Sequence, residues 1–414
     1  MYRTTLRTLA ALTLALALLC SAALAAPGDG TVEVALNGFV LHLDHPARGE
    51  EGVTLAPVEE LCAAIGATGW FTHVREDYTP IQAGLSYWWA EDGSNTFFAC
   101  WDGGEPVAVT AGKEGARMEE GTLWAPLRPF AQALGFGVEW DGRVLLTRPR
   151  EEVTVSTLEE LFNAVGHNTI LRVAEGAKLD FSTLDWTKVD NPFVVVEPGV
   201  DTRDPGMDTQ PSPEAFDVTI QGVQDLTITG PAVFSTPWAY ADVLKFRDCR
   251  RIALEGLTAV HEVEPGFCVG DCLALENCQG VRAVDCILDG SGAYGLHALD
   301  CRDISLEGCT ISHCTYGAVT LTGCAGVELV DCALEDCQEI FNLVGGVGCA
   351  GVRIKDSRVQ NCWGGSLAFF SRSSGVTFER CVFSDSGFGI VNGRDWDASG
   401  GAMFLECAGL EDCI

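Results

Sequence analysis

From residue 249 onward the chain repeats one pattern of apolar and polar positions. Two apolar residues stand two apart, a small or polar corner follows, and a second short alternating run completes the unit. The units read "CRRIALEGL", "CQGVRAVDC", "CRDISLEGC", "CAGVELVDC", "CAGVRIKDS", "SSGVTFERC" and "CAGLEDCI", beginning at 249, 278, 301, 324, 349, 373 and 407. Alternation with period two predicts short strands. A unit of about 23 residues cannot close a core of its own, so successive units are expected to stack and share one. Upstream, "ILRV" at 170, "VVVE" at 194, "VTIQ" at 218 and "VLKF" at 243 recur at a similar interval and read as earlier coils. Before them, "TVSTLEELFNAVGHN" predicts an amphipathic helix. Thr157 and Glu160 fit a capping box, and Leu158, Leu161, Phe162 and Val165 form its apolar stripe.

The fold class that follows is mainly β: a right-handed parallel β-helix, or solenoid, over residues 151–414 with a helical cap at its N-terminal end. A different pattern occupies residues 26–150. There "APVEELCAAIGATGWF" from Ala56 recurs as "APLRPFAQALGFGVEW" from Ala125. Each copy predicts a helix running into a strand, with Pro57 and Pro126 at the first helical position and Gly66 and Gly135 at the helix end. Asn37-Gly38 within "TVEVALNGFVLHL" is a hairpin signal. The expectation is a small α+β domain built by internal duplication, ahead of the solenoid.

Two resemblances follow from these motifs. Through "NG", "TLWAPLRPFAQALGFGVEWDGRVLLT" and the weaker first copy, residues 31–148 resemble the copper amine oxidase-like N-terminal domain, a stalk module of secreted bacterial proteins. The resemblance carries no copper with it, since metal catalysis in such oxidases belongs to a separate domain with clustered histidines and this chain has seven histidines in all. His42 and His45 in "HLDH" point to opposite faces at strand spacing. The repeats resemble the parallel β-helix family of polysaccharide lyases, epimerases and NosD-like proteins. That likeness implies a fold and leaves function open, because solenoids host many activities.

The 19 cysteines gather in the repeats, 16 of them from Cys249 onward. Aligned by coil, they form columns. Cys249, Cys278, Cys301, Cys324, Cys349 and Cys407 open the units; Cys286, Cys309, Cys332 and Cys381 form a second column; Cys314, Cys337 and Cys362 form a third. Ser357, Ser291 and Ser386 replace members of the second and third columns, which fits a compact corner position better than an obligatory metal ligand. A free-thiol ladder is the favoured reading. Disulfides between some members and a metal set are the alternatives.

Charge and targeting narrow the setting. Residues 1–25, "MYRTTLRTLAALTLALALLCSAALA", read as a cleavable signal peptide and predict a secreted or cell-envelope bacterial protein. No later segment approaches the apolar length of a membrane span, so no membrane insertion is expected. The net charge is -32, and losing Arg3 and Arg7 with the leader takes it to -34. Such a surface repels nucleic acid and anionic glycans alike, unless calcium or a local basic patch intervenes.

Candidate chemistry lies beside the cysteines. "HEVEPGFCVGDC" is an irregular insertion that brings His261, Cys268, Asp271 and Cys272 into one connection, and loops on rigid scaffolds often carry function. At a corner, His313 precedes Cys314 and Asp336 precedes Cys337 one coil later, a pairing suited to general base work, with Tyr294 and Tyr316 nearby as sugar platforms. His297 is placed outward, between Ala274 and Thr320. Asp285, Asp331 and Asp356 share a column, interrupted by Gly308 and followed by Arg380, and are the candidates for calcium. The catalytic candidates are therefore His261, Asp271, His313 and Asp336. The expected partner is a polysaccharide or cell-wall glycan, bound or processed by elimination or hydrolysis. The competing reading is a non-catalytic envelope or adhesion protein that uses the solenoid as a rigid display surface. "CAGLEDCI" stops inside a repeat, and the strand edge it leaves is where the chain is expected to self-associate or to have been truncated.

Overall fold

The computed structural model describes residues 30–66, 68–69, 87–90, 96–100, 107–110, 117–200, 211–262, 269–290, 293–392 and 401–413. Residues 1–25, expected to be a signal peptide, and Cys268 and Ser291 lie outside the described residues. The chain divides into two units, Met1–Pro149 and Arg150–Ile414.

In the first unit, the duplication is visible as two strand–helix pairs. Strands Val53–Pro57 and Thr122–Pro126 lie antiparallel, with Ala56 opposite Ala125, and run into helices Val58–Ile65 and Leu127–Ala133. Both prolines sit at the N-cap, one position earlier than their pattern suggested, where extended backbone suits proline's fixed φ. Gly66 ends the first helix in the left-handed region. Val58, Leu61, Ile65, Leu127, Phe130 and Leu134 bury one face of each helix in a common core. His45 is paired with Glu60 across 2.5 Å, which occupies one half of the "HLDH" motif.

The second unit is a parallel β-helix. Among the described residues, it carries three sheets of ten, eight and nine strands. The first sheet runs from Glu151–Val155 to Ala402–Leu405, the second from Lys178–Asp180 to Val382–Ser384, and the third from Val194–Val200 to Gly387–Asn392. Inward columns are in continuous register. In the first sheet, Leu226, Ile252, Val281, Ile304, Val327 and Val352 stack through successive strands, all essentially inaccessible to solvent. Burying each such side chain contributes about 1.5–3 kcal/mol, which stacking supplies where a lone coil cannot.

The helix Leu158–Ala164 covers the start of this core with Leu158, Leu161 and Phe162. Thr157 accepts a hydrogen bond from the Glu160 amide at 3.2 Å, while the Glu160 carboxylate accepts from the Ser156 amide at 2.8 Å. One expected pair of coils is corrected. "VVVE" and "VTIQ" are not successive turns; they belong to Val194–Val200 and Pro211–Gln221, which pair antiparallel as a hairpin. The parallel register resumes when Ile220 aligns with Phe246.

The corners follow a conformational rule. The residue before a column cysteine, Cys272 excepted, adopts the left-handed conformation: Asp248, Asn277 and Asp300 before Cys249, Cys278 and Cys301, and Asp285, Asp331 and Asp356 before Cys286, Cys332 and Ser357. Asp and Asn tolerate this region better than most residues, and glycine takes it at Gly308 and Gly323. Side chains at stacked corners then bond to one another, as Asp248 to Asn277 at 2.5 Å and Asp225 to Arg251 through two 2.8 Å contacts.

The cysteines are a thiol ladder. The 16 cysteines whose side chains are described are free thiols, and 15 are buried. A typical member, Cys332, donates to the carbonyl of Val330 in its own coil at 3.4 Å and to that of Leu306 in the coil before at 3.5 Å. Ser357 follows Cys332 in the column: its hydroxyl donates to the Lys355 carbonyl at 2.6 Å and accepts from the Cys332 amide at 3.0 Å. Serine thus reproduces the thiol's bond to the carbonyl two residues back, which lets the two alternate. Two assignments change. Cys407 belongs to the second column, since its neighbour Ala408 pairs with Val382, and Cys272 meets Cys314 in the third. Burial pushes the Cys381 thiol up to about 11 and also raises Cys349, so these groups stay protonated and unreactive.

Cys332→Ser is therefore expected to change unfolding free energy by less than about 1 kcal/mol, since donor, acceptor and volume are nearly conserved. A denaturant titration showing a loss above about 2 kcal/mol would contradict the ladder as described.

Candidate functional site

The outward side of the third sheet carries the most concentrated polar chemistry. Strand register aligns Lys245, Ala274, His297, Thr320 and Gly345 in one row. His297 is therefore outward, as its spacing predicted, with small neighbours on both sides that leave its ring accessible. Its side chain is 44% exposed.

The histidine has a partner that linear spacing did not reveal. Nδ1 of His297 lies 2.7 Å from Oδ2 of buried Asp271, whose Oδ1 accepts from the Tyr294 amide at 3.0 Å. Because an ionised carboxylate only accepts, the proton of the neutral ring belongs on Nδ1, and Nε2 becomes the basic nitrogen. The Asp271 hydrogen bond raises the His297 pKa, with burial opposing it.

Behind this pair lies a second layer. The Asp271 amide donates to Oδ1 of Asp242 at 2.8 Å, and Lys245 Nζ sits 2.6 Å from Asp217 and 3.0 Å from Asp242. Burial, reinforced by the charge of Asp271, raises the Asp242 carboxyl; burial and Asp242 raise Asp217. Burial works against the Lys245 ammonium, but Asp242 and Asp217 outweigh it and raise its pKa. Lys245 thus stays charged between two part-buried carboxylates, and Asp242 anchors the Asp271 amide from behind.

His261 approaches from the second sheet, where it ends the strand Thr258–His261. It is 5% exposed and hydrogen-bonded to the Asp271 backbone. Burial lowers its pKa to about 4, so it is neutral at ordinary pH. Two sequence candidates, His261 and Asp271, are thus brought together, with Asp271 between two histidines.

An aromatic strip extends from the pair. The Tyr294 ring meets His297 at 5.8 Å and Tyr316 at 6.1 Å between centroids, and Tyr316 meets Phe341 at 5.1 Å. Phe341 is 63% exposed and Trp363 48%. The Trp363 indole donates to Asn361 at 3.2 Å and lies over Gly387, where an added Cβ would stand 2.5 Å from the ring. The missing side chain at 387 seats the indole. Exposed rings of this size are favourable platforms for the apolar faces of sugars, and they are energetically poor places to leave in water.

The remaining candidates separate from this site. His313 does not pair with Asp336. Its Nδ1 lies 2.6 Å from Asp289 in the preceding coil, and Asp336 accepts from Asn361 in the following one at 2.6 Å. The reason is conformational: both residues are left-handed corners, whose side chains bond along the stack. The Asp289 hydrogen bond raises the His313 pKa against the effect of burial, and the more distant charge of Asp336 adds to it. Asp285, Asp331 and Asp356 hold the same kind of corner, and Asp356 is held by Arg380 through two 2.6 Å contacts. Among the described residues, no group of three or more His, Cys, Asp or Glu side chains is arranged to hold a metal ion.

Comparison with known proteins bears on the fold. Residues 271–396 match the family model of the right handed beta helix region. The match begins at Asp271 and includes His297 and the aromatic residues Tyr294, Tyr316 and Phe341, while His261, Asp242, Lys245 and Asp217 lie before it. Solved structures similar to this chain include a polygalacturonase from Erwinia carotovora ssp. carotovora, at 9% identity and TM-score 0.34, covering 64% of this chain and 84% of that one. A surface adhesin of Streptococcus pneumoniae is similar at 11% identity and TM-score 0.29, covering 63% and 74%. A protein of Geobacillus virus E2 follows at 12% and 0.31, covering 79% and 66%. No curated protein matches the chain. At these values the likeness goes no further than the fold.

Proposed function

We propose that the protein is secreted and binds extracellular polysaccharide along the third sheet, with His297 as its acid–base group. The observation that carries this reading is the buried Asp271 held against an accessible His297, at one end of an aromatic strip that runs out to exposed Phe341. Asp271 orients the imidazole and stabilises its protonated form, while Nε2 faces whatever lies on the sheet. Tyr294, Tyr316 and Phe341 supply stacking area. Behind the pair, Asp242 accepts from the Asp271 amide and so helps fix Asp271 against the imidazole.

A polysaccharide panel, assayed for retention and for cleavage products, tests the proposal. Cleavage should fall by about 10²- to 10⁴-fold in His297→Ala, while retention persists through the aromatic strip. Retention without cleavage by the unsubstituted protein would support the display reading, which the wide exposure of Phe341 favours. Cleavage unchanged in His297→Ala would remove the histidine from the chemistry.

A further inference from the structure

The charges on this sheet allow the ligand to be specified by class, an inference that rests on the glycan reading above. Among the described strands of the third sheet, the basic residues apart from histidine are Lys245 and Arg247. Both are engaged. Lys245 is held by Asp217 and Asp242, and Arg247 Nε lies 2.8 Å from Glu276. A uronate carboxylate arriving here would meet the charge of Asp271 and would have to displace an acid from Lys245, leaving a part-buried carboxylate without its cation, which is strongly unfavourable. The net charge of -32 opposes a polyanion at long range as well.

The strip points the same way. From Tyr294 through Tyr316 and Phe341, contact is ring to ring, and the row through His297 continues as Thr320 and Gly345. Stacking faces and hydroxyl-sized hydrogen-bonding groups suit uncharged sugar rings. Neither offers a carboxylate a counter-charge.

We infer that the strip formed by Tyr294, Tyr316 and Phe341 binds an uncharged polysaccharide, and that any cleavage beside it is hydrolysis rather than elimination. The chemistry follows from the substrate class. Elimination removes a ring proton made acidic by a neighbouring carboxylate, which a neutral sugar lacks. Hydrolysis consumes one water per cut: the water oxygen bonds to the anomeric carbon, the glycosidic C–O bond breaks, and protons pass to the leaving oxygen and to a base. His297, oriented by Asp271, is placed to exchange one of these protons.

The test measures binding and products with mixed-linkage β-glucan, xylan and galactomannan against polygalacturonate and alginate, with and without calcium. At least one neutral polymer should be retained, with affinity falling about tenfold in Phe341→Ala, an exposed position whose replacement spares the core. Any products should be new reducing ends without unsaturated sugars. Retention of polygalacturonate or alginate alone would overturn this inference and leave the glycan reading standing. Retention of none of the five would overturn both.

Discussion

Phe246→Ala is expected to lower the unfolding free energy of the solenoid by about 3–5 kcal/mol. Phe246 is fully buried, in register between Ile220 and Leu275 of the neighbouring strands. It stands where the antiparallel hairpin gives way to regular coils, so its ring is shared by elements far apart in sequence. Stacked coils cannot close around a missing ring without losing register on both sides. The residual cavity should therefore stay open and the cost approach the upper end of the range. Chemical denaturation gives the total, and amide exchange should show the coils on either side of Phe246 opening first. A change below about 1 kcal/mol would mean that the core is not continuous there.

The second large effect concerns acid. His261 has a folded pKa of about 4, against about 6.5 when unfolded. The folded state therefore resists protonation that the unfolded state accepts. Its contribution is fully favourable above pH 6.5 and is lost as pH falls from there to about 4, a difference of about 3 kcal/mol. His297 has the opposite sign. Its pKa is raised, so its pairing with Asp271 stabilises the fold below the unfolded value and is lost as pH rises through the folded one. With its side chain 44% exposed, that contribution is the smaller one. His261→Leu should flatten the stability profile between pH 6.5 and 4. Parallel profiles for the two proteins would show that His261 is not the acid-sensitive group.

The solenoid was legible because its repeat is written twice, in the inward apolar pairs and in the corner residues beside the cysteines. The outward position of His297 followed from the 23-residue interval that links it to Thr320. Its partner did not. Asp271 comes after an irregular connection, and counting by period fails across any insertion. Asp242, Lys245 and Asp217 were missed for the same reason, since they lie upstream of that break and around the hairpin of Val194–Val200 and Pro211–Gln221. A buried acid two residues before an apolar strand, as in "ADVLKF" and "GDCLAL", was the available signal. The His313 and Asp336 pairing failed differently. Adjacent coils were recognised, but the left-handed backbone at these corners sends each side chain to another partner. Phe341 and Trp363 were hidden because the third-sheet strands lengthen to Gln338–Val347 and Trp363–Ser371, outside the spacing of the earlier coils.

A crystal structure of the full chain soaked with an oligosaccharide of whichever neutral polymer is retained tests the central claim most directly. Sugar rings are expected against Tyr294, Tyr316 and Phe341, with a hydroxyl or glycosidic oxygen within hydrogen-bond reach of His297 Nε2. An oligosaccharide seated on the first or second sheet, with the His297 face empty, would contradict it.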